Sequence, residues 1–182
     1  MSDTLNCPIC GNQKSVRDTH SRYGFICPEC GKGHLIPYDH CSRISRHADS
    51  EDEWFMIPRG RCSHCKRLHR ALPDFMIPYK HYDARAISDV LDEVVTPENF
   101  AGSFPTESSM KRWQMWLMIN RALIDGILKS FAHRQLGFSE KLLKSEDSLL
   151  EKLRASYEHW LETIVRVIYN SGARLSPLNR AT

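Results

Sequence analysis

Apolar residues along this chain follow two periods, and the change falls near Tyr82. Before it the apolar runs are short and β-like, as in Trp54-Phe55-Met56-Ile57, with turn-forming residues between them. After it they recur every three or four residues, the spacing of one helix face. A first helix is predicted over Ala84 to Val95, with Ile87, Val90, Leu91 and Val94 on one side and Pro97 barring its continuation. Thr96 to Pro105 holds two prolines and one glycine and reads as a loop. A second helix, N-capped by Thr106 or Ser108, runs to about His133. Trp113, Trp116, Leu117, Leu123, Ile124, Ile127, Leu128 and Phe131 cover more than one stripe of it, so it is expected to be mostly buried. A third helix is predicted from Ser145 as N-cap, with Glu146 and Asp147 in its first turn, to the breaker Asn170-Ser171-Gly172. It carries Leu149, Leu150, Leu153, Tyr157, Trp160, Leu161, Ile164, Val165 and Ile168, and Arg174 to Thr182 follows as a loose tail.

The expected fold class is α+β: a small β-rich module over residues 1–82, then an all-α helical bundle over 83–182. The segment 84–120 is a candidate helix-turn-helix, because Ser108, Ser109, Lys111, Arg112 and Gln114 open the second helix with the short polar and basic side chains that a recognition helix needs there. The ten-residue loop before it is longer than the usual tight turn, and Lys111 and Arg112 also suit the solvated side of a bundle helix.

Composition narrows the class. The 182 residues are 41% hydrophobic, enough for one mid-sized domain or two small ones and too apolar for a disordered tail. No run of about 18 apolar residues occurs, and Met1 to Asn6 lacks the basic-then-apolar pattern of a secretory signal. A cytoplasmic protein with no membrane contact is therefore expected. The 25 Lys+Arg against 22 Asp+Glu leave a net charge of +3, too little to argue nucleic-acid binding except through local clustering.

All seven cysteines lie before residue 66, and six form three equal CxxC spacings: Cys7 with Cys10, Cys27 with Cys30, and Cys62 with Cys65. Two thiolates so spaced grip one tetrahedral ion from a tight turn, and glycine after the second cysteine frees the backbone to take positive φ. Gly11 and Gly31 stand there in the first two pairs; Lys66 stands there in the third. Four thiolates suit zinc, so one or two structural Zn2+ ions are expected, which makes residues 1–82 a zinc-ribbon-like metal-binding module. Disulfides need an oxidising compartment, and a thioredoxin-like pair needs a βαβ setting; neither has support. Cys41 reads as a buried small hydrophobe.

Spacing alone leaves the pairing open. Sixteen residues separate Cys10 from Cys27 and thirty-one separate Cys30 from Cys62, but loop closure costs only about 0.6 kcal/mol more per doubling of length. A structural zinc contributes about 10 kcal/mol or more, which covers either closure. Should Cys27, Cys30, Cys62 and Cys65 share an ion, Cys7 and Cys10 need two of His20, His34, His40, Cys41 and His47 for another. Should the first two pairs share one, Cys62 and Cys65 need other partners.

Cys27-Pro-Glu-Cys-Gly31, the run from Ile57 to Tyr82 (IPRGRCSHCKRLHRALPDFMIPYKHY) and Ser108 to Trp116 (SSMKRWQMW) resemble an uncharacterised bacterial zinc-ribbon family, a domain of unknown function found with mobile elements. The resemblance covers about half of the chain. It implies a zinc-bound β module followed by helices, similar to the N-terminal DNA-recognition regions of transposases. It also implies one ion held by Cys27, Cys30, Cys62 and Cys65, and marks Arg59, Arg61 and His69 as positions shared with that family.

Between Arg59 and Arg70 the chain has Arg59, Arg61, Lys66, Arg67 and Arg70 with no acidic residue. On a metal-held element such a cluster is the electrostatic footprint of a phosphate-facing surface, against the plainer reading of a solvated surface balanced by Asp49, Glu51, Asp52 and Glu53. Trp113, Trp116 and Trp160 fall at helical spacing and read as core rather than as base-stacking platforms. Catalysis finds no support: no phosphate-cradling glycine motif, nucleophile elbow or HExxH is present, proline precedes neither Cys7 nor Cys27 as a zinc deaminase requires, and no strand pattern after residue 83 can carry a transposase carboxylate triad. The function expected is that of a zinc-stabilised DNA-binding protein, a mobile-element accessory or regulatory factor without catalytic activity or small-molecule substrate. The alternative is a protein-interaction adaptor built on the same knuckles and bundle.

Overall fold

Strand formers between Leu35 and Leu72 fold back on themselves twice in the computed structural model, which describes residues 3–6, 25–47, 52–99 and 105–176. Strands β2 (Leu35–Ser45), β3 (Glu53–Cys62) and β4 (Leu68–Leu72) make an antiparallel sheet, and β1 (Asp3–Asn6) adds to the β4 edge in parallel, giving the order β1-β4-β3-β2. Ile57 lies opposite Cys41, and Arg59 lies opposite both Asp39 on β2 and Arg70 on β4. The β2–β3 register shifts between Pro37 and Asp39, a bulge that places Tyr38 outside the regular alternation.

Among the described residues the core of the sheet is small, with Ile77 and Tyr82 of the segment after β4 also buried. Ile57, Leu72 and Met76 form one buried cluster, with Phe55, Phe75 and Cys41 against it. Leu35 forms a second with Cys27 and Cys62. Cys41 is thus a half-buried neighbour of the first cluster. The 73–83 segment is laced over this end of the sheet: Arg43 donates to the carbonyls of Ile77 and Lys80 at 2.6 and 2.5 Å, and burial brings the Arg43 guanidinium down to about 10.

The chain divides into two compact units, Met1–Asp83 with Tyr169–Gly172, and Ala84–Ile168 with Ala173–Thr182. The second is helical: α1 (Ala84–Leu91), α2 (Glu107–Leu136), α3 (Leu149–Ser156) and α4 (Trp160–Asn170), with a 3-10 turn at Glu140–Lys144. The protein is therefore α+β, and among the described residues no helix is long and apolar enough to cross a membrane.

Three helical expectations need correction. The first helix ends at Leu91, short of Val95, and Val94 is exposed. The second starts after the Thr106 N-cap, but it buries one stripe through Met110, Trp113, Leu117, Asn120, Ile124 and Leu128 with Trp116 beside it, and Met115, Met118, Ile119 and Leu123 face outward. The third is two helices. Ser145 closes the 3-10 turn, Ser148 caps α3, and the chain leaves helical geometry at Tyr157 (φ −140°) before Trp160 opens α4. The apolar period runs through this break, but residues 155–159 are all exposed, so no packing holds a helix there. The buried Trp160 instead donates its indole N–H to Asp92 at 2.8 Å, the carboxylate that also pairs with Arg154.

Candidate metal centre

Both described CxxC pairs sit on turns built alike. Gly31 N–H donates to the Cys27 carbonyl at 2.8 Å, and Lys66 N–H donates to the Cys62 carbonyl at 3.2 Å. Gly31 and Lys66 both take left-handed geometry at φ 63°. Lys66 thus adopts the conformation that glycine has in the other turn, at a cost of about 1–2 kcal/mol, and its ammonium folds onto the Ser63 carbonyl at 2.5 Å. The two turns are stitched together: Ser63 N–H donates to the His34 carbonyl at 2.9 Å, and His34 N–H donates to Ser63 Oγ at 3.0 Å.

This stitching gathers four sulfurs. Sγ of Cys27, Cys30, Cys62 and Cys65 all lie within 4.8 Å of one another. Cys27 to Cys65 and Cys30 to Cys62 are each 3.7 Å apart, and all four thiols are free. A tetrahedral ion with thiolate bonds of about 2.3 Å holds its sulfurs about 3.8 Å apart. The four cysteines could therefore hold one metal ion, with Cys27 and Cys62 fully buried beneath Leu35.

Their protonation equilibria pull in opposite directions. Burial pushes the Cys27 thiol up to about 12. The backbone N–H groups of Gly33 and Lys32 bring Cys30 down to about 5. At Cys62 burial works upward, but the N–H groups of Cys65 and His64 outweigh it and leave that thiol below its usual value. At Cys65 the Arg67 N–H works downward, but burial and the Cys62 thiol leave it raised. A central cation is what makes four thiolates compatible in so small a space, so binding releases protons and acid reverses it.

Two supporting residues stand out. A Cβ on Gly33 would come within 2.5 Å of Cys62 Sγ and 2.7 Å of the His64 nitrogen, so only glycine leaves the second turn room to approach. The sequence reading missed this position; its signal was the Gly31-Lys32-Gly33 spacing directly after the knuckle. His69 is fully buried, with Nε2 3.4 Å from Cys27 Sγ, within reach of an N–H to sulfur hydrogen bond.

The remaining candidate ligands are spread out. Cys7, Cys10 and His20 lie outside the described residues. His34 and His40 are exposed, and His47 is bound to Asp83 at 2.6 Å. Among the described residues the Cys27, Cys30, Cys62 and Cys65 group is the one metal-ligand cluster.

The basic side chains fall into different states. Arg59 forks onto the Asp39 carboxylate, which holds that carboxyl below its usual range. Arg67 pairs with Glu29. Arg61 donates to the Lys66 carbonyl at 3.3 Å and stacks its guanidinium 5.7 Å from the Tyr38 ring centre. Arg70, across from Arg59, buries an Nε that has no hydrogen-bond partner among the described residues. On α2, Lys111 pairs with Glu107 at 2.5 Å, and Arg112 bends back to the Ser108 carbonyl at 3.2 Å. Of the balancing acids considered from sequence, Asp52 pairs with Arg46 and Glu53 approaches His47, while Asp49 and Glu51 lie outside the described residues. Trp113, Trp116 and Trp160 are core residues. Exposed rings lie elsewhere, at Tyr38 (55%), Trp54, Tyr79, Phe138 and Tyr157, and the sequence reading did not single out Tyr38 or Trp54 as such.

No curated protein and no solved structure matches this chain. A family model does match: residues 27–113, which carry both described cysteine turns, β2 to β4, α1 and the start of α2, are similar to DUF6431, a domain of unknown function.

Proposed function

We propose that this chain is a zinc-stabilised DNA-binding protein whose ion is structural, a mobile-element accessory or regulatory factor without catalytic activity. Zinc is favoured because four thiolates at tetrahedral separation are its preferred structural ligand set. Cys27, Cys30, Cys62 and Cys65 would hold it, and its contribution is charge and cross-linking rather than a reactive water. Thiols gathered on a metal rather than joined as disulfides suit a reducing cytoplasm.

The observation that carries the reading is the place of the sulfur quartet. It closes the turn that carries Lys66, at the end of the strands that bear Arg61 and Arg70. The fixed turn would orient a zinc-ribbon-like cationic edge toward phosphate. The helix-turn-helix reading of 84–120 rests on Ser108, Ser109, Lys111, Arg112 and Gln114 at the opening of α2; the connector from Asp92 to Thr106 is longer than the tight turn of that motif. The test is DNA affinity measured over a range of salt concentrations. Affinity should fall steeply with salt, and Arg61→Ala with Lys66→Ala should flatten the slope by about one to two counterions. A chain that binds no DNA at low salt ends this reading.

A second reading, a protein-interaction adaptor, is favoured by the outward apolar face of α2 at Met115, Met118, Ile119 and Leu123. Its signature is salt-insensitive capture of one protein.

A further inference from the structure

The sheet face that carries Ile57 and Leu72 changes character along its length. At one end Phe55, Ile57 and Leu72 are covered by Phe75 and Met76. Toward the cysteine turns the same face carries Arg59, Arg61 and, across from Arg59, Arg70. Ile36 lies directly opposite Arg61, and Tyr38, displaced by the bulge, meets the Arg61 guanidinium. Ile36 and Tyr38 are each 55% exposed. An aliphatic side chain thus lies near an aromatic ring that one guanidinium overlies, and the ring stays half exposed.

Charge on this face is uneven in an informative way. Arg59 is neutralised by Asp39, so its charge is already answered. Arg70 lies across the strands from that residue with no carboxylate of its own, and its buried Nε–H has no acceptor among the described residues. The like charge that Arg70 meets is that of Arg43, whose guanidinium burial and Arg70 together bring down, and a buried donor without an acceptor is destabilising. An anion at Arg70 removes both penalties. Duplex DNA presents its bases stacked and paired, and a flat sheet does not enter its grooves as a helix or two-stranded ribbon does. An unpaired strand offers what this face lacks: a base to lie on a ring, with its own phosphate beside it.

We propose that the Ile36, Tyr38, Arg61 and Arg70 face docks single-stranded DNA, with a splayed base stacked on Tyr38 beside Arg61 and the adjoining phosphate at Arg70. This deepens the DNA-binding reading and rests on it. Tyr38 is the specificity-setting residue, because every base has a face to stack and only an unpaired one can reach the ring.

The experiment compares the full zinc-loaded chain and its variants against oligodeoxythymidine, oligouridine and a DNA duplex by fluorescence anisotropy. Tyr38→Ala should weaken single-strand binding roughly ten- to hundred-fold and leave duplex binding unchanged, while Tyr38→Phe retains affinity. Arg70→Gln should weaken single-strand binding and lower its salt slope by about one counterion. Zinc content equal to that of the parent shows that each variant is folded. Oligodeoxythymidine bound more tightly than the duplex and at least as tightly as oligouridine supports the proposal; oligouridine binding without oligodeoxythymidine binding overturns it. Duplex binding without single-strand binding, or a Tyr38→Ala variant that loses nothing or loses both equally, overturns it and leaves the DNA reading standing. Binding to none of the three probes removes both.

Discussion

The sheet unit buries Ile57, Leu72 and Met76 in one small cluster and Leu35 with two cysteines in another, whereas the helical unit buries Trp113, Trp116, Ile124, Leu128, Trp160, Leu161, Ile164 and Val165. Each fully buried large apolar side chain stabilises by about 1.5–3 kcal/mol. The helices therefore carry their own driving force, and the strands carry much less. What the sheet unit has instead is four thiols drawn from two turns, with a buried sulfur that is hard to ionise unless a cation sits beside it. The difference teaches that removing the ion and cutting the core are lesions of different units, and each can be made without the other.

Chelation is the largest way to separate them. Removing a structural ion should cost the sheet unit on the order of 10 kcal/mol, enough to unfold it. Hydrogen exchange should show β2, β3 and β4 losing protection while α2 keeps its own; equal loss in both units would erase the distinction. The reciprocal lesion is Trp160→Ala, which should cost the helical unit about 3–5 kcal/mol with metal content unchanged, read by thermal melting alongside metal analysis.

Smaller changes sharpen the contrast. Gly33→Ala forces the Cys62 turn away and should weaken metal binding by about 1–3 kcal/mol, measured by competition with a chromophoric chelator. Asp125 belongs to the helical unit, where Oδ1 accepts from Leu149 N–H at 2.6 Å and Leu150 N–H at 3.2 Å, and Lys129 lies 2.8 Å from Oδ2. Burial pushes this carboxyl up, but Lys129 and the N–H and hydroxyl donors outweigh it and hold it below its usual range. The stability it adds is therefore complete above the ordinary carboxylate pKa of about 4 and is lost as pH falls through the lower folded value. Asp125→Asn should cost about 1–3 kcal/mol at neutral pH, and acid titration of its melting temperature should be flatter than that of the parent. The smallest effect belongs to Lys66→Gly, which relieves a left-handed lysine but frees the unfolded chain; a gain of at most about 1 kcal/mol in the sheet unit is expected on chelator titration.

Much of the architecture is written in local spacing. The shift from β-like runs to helical period marks the α+β composition, and the glycine after Cys30 announces the turn that Gly31 makes. Other features depend on neighbours that no local pattern names. Tyr157 keeps the apolar period, yet the helix breaks there because residues 155–159 are all exposed and bury no face. Ile119 and Leu123 have core character, but α2 turns only one stripe inward. The run of five basic residues is uniform in sequence, whereas Asp39 and Glu29, distant along the chain, claim Arg59 and Arg67 and leave Arg70 unanswered. Tyr38 is exposed beside Arg61 because of a bulge, a register event with no compositional mark.

The central claim is that Cys27, Cys30, Cys62 and Cys65 bind one ion as thiolates. X-ray absorption at the zinc edge, on the full chain with Cys7→Ser and Cys10→Ser, tests it most directly. The account predicts one ion per chain with four sulfur neighbours at about 2.3 Å. A first shell dominated by nitrogen or oxygen near 2.0–2.1 Å, or a chain that retains no metal while its sheet stays folded, would contradict it.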